Sequence, residues 1–365
     1  MATARTPSKG TQAQDPSAIL EVENLTLRLG GKPILQDIQL RIAAGELLLL
    51  IGPSGSGKST LLRAVAGLET VTSGRISLLG TQLDDGAGNS VRPERRRMAM
   101  VFQDHALWPH LRVIENVALV IPGRDSQKQA MALLERMGIA ALAQRRPHQI
   151  SGGQRQRVGL ARALAVEPAL VLMDEPLSSL DVELREQLRM EILRWLQELG
   201  ISALVVSHDP DDFWRLAHRV VALAHGKVVQ VGSPKQLFQE PAIPWIARFT
   251  GALGPLPALS QGGYLYLGPL KLPFPGGDAS PREGVVYYRP EGLRVAGQSQ
   301  GTSPGVSARL LYQTFERGQF RGYWQVPGIA EPMISLGQEP CPPAATLLVD
   351  LAQIFFFSKQ HLEEL

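Results

Sequence analysis

The chain has 365 residues, of which 44% are hydrophobic and 19% charged, and this globular composition excludes a wholly disordered protein. The length is enough for two or three domains, each with its own core. With 37 Lys and Arg against 34 Asp and Glu, the formal net charge is +3, which argues against a dedicated nucleic-acid-binding protein with a concentrated basic face. The single cysteine, Cys341, excludes a disulfide within the chain and a cysteine-rich zinc site.

The N-terminal segment, residues 1–17, is polar and rich in Ser, Thr and Gln, and we predict that it is a disordered leader. It lacks the apolar stretch of a secretory signal. No apolar run elsewhere approaches the roughly 18 residues that are needed to span a bilayer. The sequence therefore predicts a protein that stays in the cytosol unless a partner holds it at a membrane.

Residues 18–250 alternate between short apolar strands and longer helical stretches. The three clearest strand–helix pairs are Leu47–Ile51 with Lys58–Ala66, Leu170–Met173 with Val182–Leu199, and Ala203–Ser207 with Asp211–Ala217. Such alternation is typical of βαβ units around a mainly parallel sheet. Because ligands bind at the carboxyl ends of parallel strands, we expect the functional residues in the loops that follow these strands.

The composition changes near residue 250. Residues 251–365 contain 13 of the 27 Pro, 16 of the 36 Gly and all six Tyr, and their 8 Lys and Arg against 9 Asp and Glu give a net charge of −1. Short aromatic and β-branched runs between Gly and Pro turns indicate a small all-β domain. We predict a linker at Gly251–Ala258, because this stretch contains Gly254, Pro255 and Pro257.

A glycine-rich loop connects the first of these strands to its helix. Its sequence, Gly52-Pro53-Ser54-Gly55-Ser56-Gly57-Lys58-Ser59, fits the phosphate-binding pattern G-x-x-x-x-G-K-[ST], and Thr60 follows it. Glycines let backbone N–H groups point at phosphate oxygens, and the helix directs its N-terminus at the same anion. Lys58 would add positive charge near the β- and γ-phosphates, and the Ser59 hydroxyl would ligate Mg²⁺. The strand and the helix disfavour the alternative of a chance Gly/Ser turn.

Two acidic residues, Asp174 and Glu175, follow the apolar strand Leu170–Met173. Paired carboxylates at a strand end suit a Mg²⁺–ATP site. Asp174 would hold the metal through water, and Glu175 would polarise the attacking water as a general base. Taken alone, the two residues could equally be solvated carboxylates. Beside a phosphate-binding loop, the catalytic interpretation is favoured.

Four further motifs occur in a fixed order along residues 18–250. They are Gln103 in Val101-Phe102-Gln103-Asp104, then Ser151-Gly152-Gly153-Gln154, then Ser178-Ser179-Leu180-Asp181, and last His208 in Val206-Ser207-His208-Asp209. With the two motifs above, they resemble the Q-loop, signature, D-loop and switch histidine of the ATP-binding subunits of ATP-binding cassette (ABC) transporters. Ile150 replaces the Leu that usually precedes the signature. The resemblance implies an α/β P-loop NTPase domain over residues 18–250, with a helical subdomain at about 103–165.

The resemblance also implies that two subunits pair head to tail and share their sites. The signature begins an apparent helix, Gln154–Leu164, whose N-terminus would bind the γ-phosphate of ATP held by the other subunit. His208 would stabilise charge on the γ-phosphate, Gln103 would sense Mg²⁺ and the attacking water, and Asp181 would link the two sites. The implied cofactors are ATP and Mg²⁺, and the implied metal residues are Ser59, Gln103 and Asp174.

One position departs from the family pattern. Where an aromatic residue usually stacks on adenine, this chain has Leu29, and no Tyr occurs before Tyr264. An aliphatic side chain can cover one face of the base but cannot stack on it. We therefore predict weak discrimination between ATP and GTP.

A second surface concerns the partner that the ATPase drives. Residues 103–110 resemble the family's docking surface for a permease. Exposed Leu107 and Trp108 between polar residues would suit the insertion of a partner helix into a groove. The alternative is that Trp108 is a core residue of the helical subdomain.

The C-terminal part resembles the small β-domain of importer ATPases for sugars, oxyanions, polyamines and ferric iron. The resemblance rests on Arg289-Pro290-Glu291 within residues 287–295, and on Val306–Val326 as a strand pair. It implies a TOBE-like, OB-like domain over residues 251–365 that regulates or dimerises. The alternatives are a generic β-barrel appendage and an oligonucleotide-binding barrel, and a net charge of −1 gives the latter little support.

We therefore predict the ATP-binding subunit of an importer, a peripheral ATPase on the cytoplasmic face of the inner membrane. It would work as a homodimer under two permease subunits, receive its solute from an external binding protein, and bind no nucleic acid. A soluble ABC ATPase of translation or DNA repair is the main alternative. One cassette per chain disfavours it, as does the absence of a long coiled coil between Lys58 and Ser151. The short C-terminal domain favours an inorganic ion such as ferric iron or sulfate over a polyamine or sugar.

Overall fold

The computed structural model of the chain describes residues 18–104, 106–274, 280–296 and 304–359. The predicted leader, residues 1–17, lies outside the described residues. Two compact units divide the chain between Pro234 and Lys235, and we call them the N-terminal unit and the C-terminal unit. None of the helices in the described ranges is long and apolar enough to cross a membrane.

The N-terminal unit contains ten strands and six α-helices within the described residues. The strands are β1 (Ala18–Leu29), β2 (Lys32–Ala43), β3 (Leu47–Ile51), β4 (Ser73–Leu78), β5 (Thr81–Asp84), β6 (Met98–Val101), β7 (Leu170–Asp174), β8 (Ser202–Val206), β9 (Arg219–Ala224) and β10 (Lys227–Gly232). The helices are α1 (Lys58–Ala66), α2 (Val113–Ala118), α3 (Ser126–Arg136), α4 (Gly152–Leu164), α5 (Val182–Leu199) and α6 (Pro210–Arg215).

These strands form two sheets. An antiparallel sheet has the order β2-β1-β4-β5, and a mainly parallel sheet has the order β10-β9-β3-β8-β7-β6. Every residue of β3, β7 and β8 is buried, which explains why these strands are continuous apolar runs rather than alternating ones. Asp174 pairs in register with Val206, so the carboxyl ends of β7 and β8 lie side by side. The parallel sheet thus brings the loops after its strands to one edge.

The predicted elements of this unit are confirmed with small shifts at some ends. β3, α1 and α5 have the predicted bounds. α6 begins and ends earlier than predicted, because Asp209 caps it and Pro210 occupies its first turn. α4 begins at Gly152 rather than Gln154, since the Ser151 side chain accepts a hydrogen bond from the backbone N–H of Gln154 and so caps the helix.

The C-terminal unit has two short helices followed by strands. The helices are α7 (Pro234–Gln239) and α8 (Pro244–Phe249). The strands are β11 (Leu253–Gln261), β12 (Tyr264–Leu267), β13 (Leu270–Pro273), β14 (Arg282–Tyr288), β15 (Leu293–Val295), β16 (Gly305–Glu316), β17 (Gln319–Gln325), β18 (Met333–Gly337), β19 (Ala344–Val349) and β20 (Ile354–Ser358). They form two five-stranded antiparallel sheets, in the orders β13-β12-β11-β14-β20 and β15-β19-β16-β17-β18. This confirms the predicted all-β, OB-like domain.

The predicted linker is wrong. Most of Gly251–Ala258 lies in β11, where Leu253 pairs with Tyr288 and Ala258 pairs with Gly284 of β14. Pro255 is tolerated because the pairing is irregular between Leu253 and Leu256, whereas Pro257 lies in the regular pairing, opposite Val285. The compact units also separate before α7, whereas the composition places the boundary at residue 250. The reason is that the buried Arg289 donates to the carbonyl oxygens of Phe238 and Thr250, which ties α7 and α8 to the β-strands.

Candidate nucleotide-binding site

The glycine-rich loop Gly52–Ser59 lies between the end of β3 and the first turn of α1, with Thr60 following in the helix. Two of its glycines have backbone angles and surroundings that exclude a side chain. A Cβ on Gly52, at φ 150°, would lie 2.1 Å from the carbonyl oxygen of Leu223, and one on Gly57, at φ 99°, would lie 2.7 Å from Leu35 Cδ2. The loop backbone therefore packs closely against its neighbours beside the start of α1, where backbone N–H groups can bind an anion.

Lys58, the first residue of α1, folds back along this loop. Its ammonium donates to the carbonyl oxygens of Gly52 at 2.9 Å and of Pro53 at 3.0 Å. Burial lowers the pKa of Lys58, although the charges of Glu175 and Asp174 oppose that shift. The lysine is therefore a buried cation that is electrostatically coupled to both acidic residues after β7.

Ser59 and Asp174 meet across the site. The Ser59 hydroxyl donates to Asp174 Oδ1 at 2.9 Å, and burial raises the pKa of Asp174 although this hydrogen bond opposes the shift. A hydroxyl and a carboxylate are the oxygen ligands that Mg²⁺ prefers. In the described ranges no cluster of three or more His, Cys, Asp and Glu side chains could hold a metal alone. The donor set thus fits Mg²⁺ that takes its remaining ligands from water and nucleotide phosphates.

Glu175 and His208 form the second pair. His208 Nδ1 lies 3.1 Å from Glu175 Oε1, and the backbone N–H of Glu175 donates to Val206 O at 3.0 Å. Glu175 has a positive φ of 49°, a strained conformation for a residue with a side chain. The adjacent strands β7 and β8 thereby place a carboxylate and an imidazole in contact, the arrangement of a general base with a neighbouring hydrogen-bonding group.

Gln103 follows β6 and reaches the same edge of the sheet. Its side-chain amide donates to the Ser178 hydroxyl at 3.4 Å, and that hydroxyl donates to the carbonyl oxygen of Glu175 at 3.0 Å. The structure therefore brings together the predicted residues of four segments: the phosphate loop, β7, β8 and β6.

The signature residues lie elsewhere in the unit, at the start of α4. Ser151 and Gln154 form a capping box, in which the Gln154 side chain accepts from the backbone N–H of Ser151 at 2.9 Å. A Cβ on Gly153 would lie 2.3 Å from Leu184, so α4 packs closely on the first turn of α5, while Gly152 has room for ordinary contact. Asp181 caps α5 by accepting from the backbone N–H of Leu184.

The signature and Asp181 are not joined to the phosphate loop in one chain. Within the part of the chain that the structure describes, no hydrogen bond connects residues 151–154 or Asp181 with residues 52–60. α1 packs on β2, β6, β7 and β8, whereas α4 packs on β6 and on the helices α2 and α3. A single subunit thus presents two separate helix N-termini of the kind that bind phosphate.

Sequence reasoning missed a charged network behind His208. Arg185 and Arg189 of α5 contact Asp209, and Arg189 also contacts Asp212 at 2.7 Å. Arg189 and Asp212 are almost completely buried. The available signal was two arginines four residues apart, but that spacing is also typical of an exposed helix face.

Trp108 lies beside an apolar groove instead of in the core. The groove, about 880 Å³ including its open mouth, is lined among others by Met100, Phe102, Trp108 and Arg162. Trp108 is 36% exposed, and the Arg162 guanidinium lies 4.8 Å from the centre of its ring. Leu107 is half-buried. Of the predicted docking stretch 103–110, residue 105 lies outside the described residues.

The proposed adenine-contacting residue is at the end of β1. Leu29 is 43% exposed, and the neighbouring Arg28 side chain donates to the carbonyl oxygen of Gly31 across the β1–β2 turn. Neither residue offers an aromatic face for a base.

Comparisons with known proteins agree with this geometry. A protein-family model described as "ABC transporter" matches residues 35–178. The chain is 37% identical over 319 residues to the sulfate/thiosulfate import ATP-binding protein CysA of Yersinia pseudotuberculosis, covering 84% of each chain. It is 39% identical over 305 residues to the Fe(3+) ions import ATP-binding protein FbpC of Streptomyces coelicolor, covering 82% of this chain and 86% of that one. It is 38% identical over 304 residues to the sn-glycerol-3-phosphate import ATP-binding protein UgpC of Brucella abortus, covering 81% and 83%.

Solved structures show the same relationship over about three fifths of the chain. The chain is similar to a dimeric, post-hydrolysis form of the ATP-binding cassette MJ0796 bound to ADP and Pi, at 30% identity and a TM-score of 0.52, covering 59% of this chain and 98% of that one. It is also similar to cbiO1 of Clostridium perfringens, part of the ABC transporter complex cbiONQ, at 30% identity and a TM-score of 0.56, covering 61% and 92%. The predicted α/β P-loop NTPase fold is confirmed.

Proposed function

The chain belongs to the importer-type ATP-binding subunits of the ABC transporter family, enzymes that hydrolyse ATP to drive transport, and from this membership we propose how its own residues work. The observation that carries the proposal is the meeting of Lys58, Ser59, Asp174, Glu175 and His208 where β3, β7 and β8 end. It supports a site that binds ATP with Mg²⁺ and activates water beside the γ-phosphate.

Each residue has a role that follows from its contacts. Lys58 and the glycine-loop N–H groups would bind the phosphates, and Ser59 and Asp174 would hold Mg²⁺. When bound, Mg²⁺ neutralises charge on the phosphate oxygens. Glu175 accepts the proton of the attacking water, while His208, 3.1 Å from Glu175, hydrogen-bonds the γ-phosphate. Gln103 orients the water and senses the metal from the neighbouring strand end.

We further propose that two copies of the chain complete each site head to tail. The N-terminus of α4 supports this, because its cap Ser151 is exposed and no hydrogen bond in the described ranges joins residues 151–154 to the phosphate loop of the same chain. In the dimer, residues 151–154 of one subunit would bind the γ-phosphate held by the other. Asp181, exposed at the start of α5, would link the two sites.

The partner surface that we propose is the groove beside Trp108. A partly exposed tryptophan and apolar walls suit an amphipathic helix. A permease in the inner membrane would supply such a helix on its cytoplasmic side. The subunit would then be peripheral to the membrane, under two permease subunits that receive solute from an external binding protein.

For the solute, we propose an inorganic ion such as sulfate or ferric iron. Two of the relatives carry these solutes in their names, and a third carries sn-glycerol 3-phosphate. A polyamine or a sugar is the alternative. Selectivity in such a system belongs to the permease and the binding protein, so uptake measurements on the assembled transporter decide the matter.

The direct test of the site is Glu175→Gln. We expect ATP turnover by the full chain to fall at least 100-fold while ATP binding persists, because the amide keeps the shape of the side chain but cannot accept the proton. Glu198→Gln on the exposed face of α5 is the control and should keep turnover within twofold. Phosphate release and equilibrium binding of ATP measure the two effects. Fast hydrolysis by Glu175→Gln would refute the assignment of the base.

The direct test of the partner is capture of the tagged chain from gently solubilised native membranes, followed by mass spectrometry. We expect a polytopic permease and its binding protein. Trp108→Asp should lose the permease, whereas Leu79→Asp, at an exposed turn, should keep it. Recovery of ribosomal or DNA-repair proteins without membrane proteins would overturn the transport proposal and leave the ATP site standing.

A further inference from the structure

Two loops of the proposed site are connected through one arginine of α5. These are the D-loop, Ser178–Asp181, and the switch loop, Ser207–Asp209, which contains His208. The Arg185 guanidinium donates through Nη2 to the carbonyl oxygen of Leu180 at 2.9 Å and through Nη1 to Asp209 Oδ2 at 2.9 Å. A single planar group therefore bonds to both loops at once, in the two-pronged geometry that arginine favours.

Hydrogen bonds on the other side turn this connection into a closed ring. Ser178 donates to the carbonyl oxygen of Glu175 at 3.0 Å, and Glu175 in turn lies 3.1 Å from His208. The ring thus passes in order through Glu175, Ser178, Leu180, Arg185, Asp209 and His208, and the backbone of Ser179 joins Ser178 to Leu180. The proposed general base and its histidine are one segment of the ring, and Arg185 is on the opposite side.

The switch loop is held on both sides of His208. Ser207 donates to Asp212 Oδ2 at 2.6 Å and accepts from the backbone N–H of Asp209 at 3.0 Å. Arg189, 1% exposed, donates to Asp212 at 2.7 Å and to Asp209 at 3.2 Å. The side chain of His208 is 62% exposed and contacts Glu175. Its position therefore depends on the backbone that its two neighbours fix.

The charge state of Asp209 suits this role. Burial raises its pKa, but the Asp211 backbone N–H, Arg185 and Arg189 together more than offset burial and hold the pKa of Asp209 below its usual value. The carboxylate is therefore ionised whenever the site works near neutral pH, and its charge-assisted bonds to the arginines are among the stronger hydrogen bonds in proteins.

We propose that Arg185 is a positioning residue for hydrolysis, which holds the switch loop against the D-loop and so keeps His208 in place beside Glu175. The proposal rests on the proposed function of that pair. Arg185 bonds to Leu180 and Asp209 rather than to the phosphate loop, so its loss should lower kcat and leave ATP affinity unchanged. A displacement of about 1 Å in a reacting group can cost up to roughly 100-fold in rate.

The test uses the full chain, Mg²⁺-ATP, four variants of the ring and one control variant. We expect Arg185→Met and Asp209→Asn each to lower kcat about tenfold, with the Kd for ATP within twofold of the wild type. The double variant should be no slower than either single variant, since both break the same ring. Arg185→Lys, which can bond one loop but not both, should be intermediate. The control is Arg194→Met on the same helix, where an exposed pair with Glu198 is removed and kcat should stay within twofold.

A second cycle asks whether the effect passes through His208. Turnover is measured by the release of radiolabelled phosphate. Adding Arg185→Met to His208→Ala should slow turnover less than twofold relative to His208→Ala alone. A tenfold further loss, or a loss of ATP affinity, would show a general structural role and overturn the proposal. If Arg185→Met lowers Tm by more than about 10 °C, the same comparison is made with Arg185→Lys.

Failure of this inference differs from failure of the proposed function. If the wild type hydrolyses ATP, Glu175→Gln abolishes turnover and Arg185→Met is as fast as the wild type, only the role of Arg185 is wrong. If Glu175→Gln is also as fast as the wild type, the proposed base is wrong and the ring has no catalytic pair to position.

Discussion

The two units of the chain both bury charged side chains, but the partners of these charges differ. In the N-terminal unit, Lys58 and Asp174 are buried close to each other and to Glu175, and burial shifts both pKa values towards the neutral forms. In the C-terminal unit, Arg289 is buried against neutral oxygens: it donates to the carbonyls of Phe238 and Thr250 and to the Thr250 hydroxyl. Its guanidinium also lies 3.5 Å from the centre of the Phe238 ring.

This difference separates a reactive site from a structural one. Burial lowers the pKa of Arg289 to about 10, yet its bonds go to the ends of α7 and α8, where helix carbonyls attract a cation. Lys58, Asp174 and Glu175 lie instead beside the glycine-rich loop, where a charged ligand such as a phosphate with its metal ion could bind to them. The Arg289 side chain of the Arg-Pro-Glu motif therefore fastens α7 and α8 to the β-strands, whereas the proposed ATP site lies in the N-terminal unit.

Ser151→Arg tests the largest effect expected in the N-terminal unit. It places bulk and charge at the helix start that would meet the γ-phosphate of the other subunit, so we expect kcat to fall about 1000-fold, equivalent to about 4 kcal/mol. Ser126→Arg at the start of α3 should change kcat less than twofold. Turnover at saturating ATP measures both. Near-normal turnover by Ser151→Arg would count against the shared site.

Arg289→Met tests the structural role of the buried charge in the C-terminal unit. It removes three hydrogen bonds and leaves buried carbonyls without a donor, so we expect the free energy of unfolding of this unit to fall by about 3 kcal/mol. Arg294→Met, at an exposed position of β15, should change it by less than about 0.5 kcal/mol. Calorimetry of the full chain measures the change, and ATP turnover should stay within twofold. Lost turnover at unchanged stability would contradict the assignment.

The contrast between the units also explains what the sequence could and could not predict. β3, α1 and α5 follow from apolar runs, a glycine loop and the alternation of strands with helices, which are local signals that the sheet then reinforces. The position of Asp174 and Glu175 beside the phosphate loop follows from the rule that the carboxyl ends of parallel strands meet at one edge of the sheet. The proposed site residues could be named from the sequence because each motif carries its own chemistry.

What the sequence could not show depends on contacts between distant segments. The linker prediction failed because Gly254, Pro255 and Pro257 are turn signals locally, yet pairing with β14 makes this stretch a strand. The hydrogen bond from Arg289 to the Thr250 carbonyl oxygen joins residues 39 positions apart, so no local sequence pattern indicates that α8 is attached to the β-strands. The ring through Arg185 was missed for the same reason, since arginines on a helix are usually solvated.

Asp174→Asn tests a smaller effect and separates stability from activity. Burial raises the pKa of Asp174 above its unfolded value, so the carboxylate costs folding free energy at pH 7, and the cost vanishes once pH falls below the unfolded pKa. Without nucleotide or Mg²⁺, we expect the amide to stabilise the chain by about 1 kcal/mol at pH 7, or about 2–4 °C in Tm, and by nothing near pH 3.5.

The controls for this variant use both readouts. Asp37→Asn, on an exposed residue, should leave Tm unchanged at both pH values, while Asp174→Asn should also lose Mg²⁺-dependent turnover. Scanning calorimetry at the two pH values and phosphate release make the comparison. A Tm that falls at pH 7 would mean that the Asp174 carboxylate supports the fold, and the contrast with Arg289 would disappear.

The smallest expected effect is the discrimination between adenine and guanine nucleotides. Leu29 is 43% exposed and Arg28 is engaged with Gly31, so the chain offers a base an aliphatic contact that does not distinguish adenine from guanine. We expect kcat/KM for ATP and GTP to agree within about twofold, or about 0.4 kcal/mol. Leu29→Tyr should lower KM for ATP about fivefold by stacking, worth about 1 kcal/mol, whereas Leu79→Tyr should not. A strong preference of the wild type for ATP would require base contacts from other residues, because one leucine face cannot provide it.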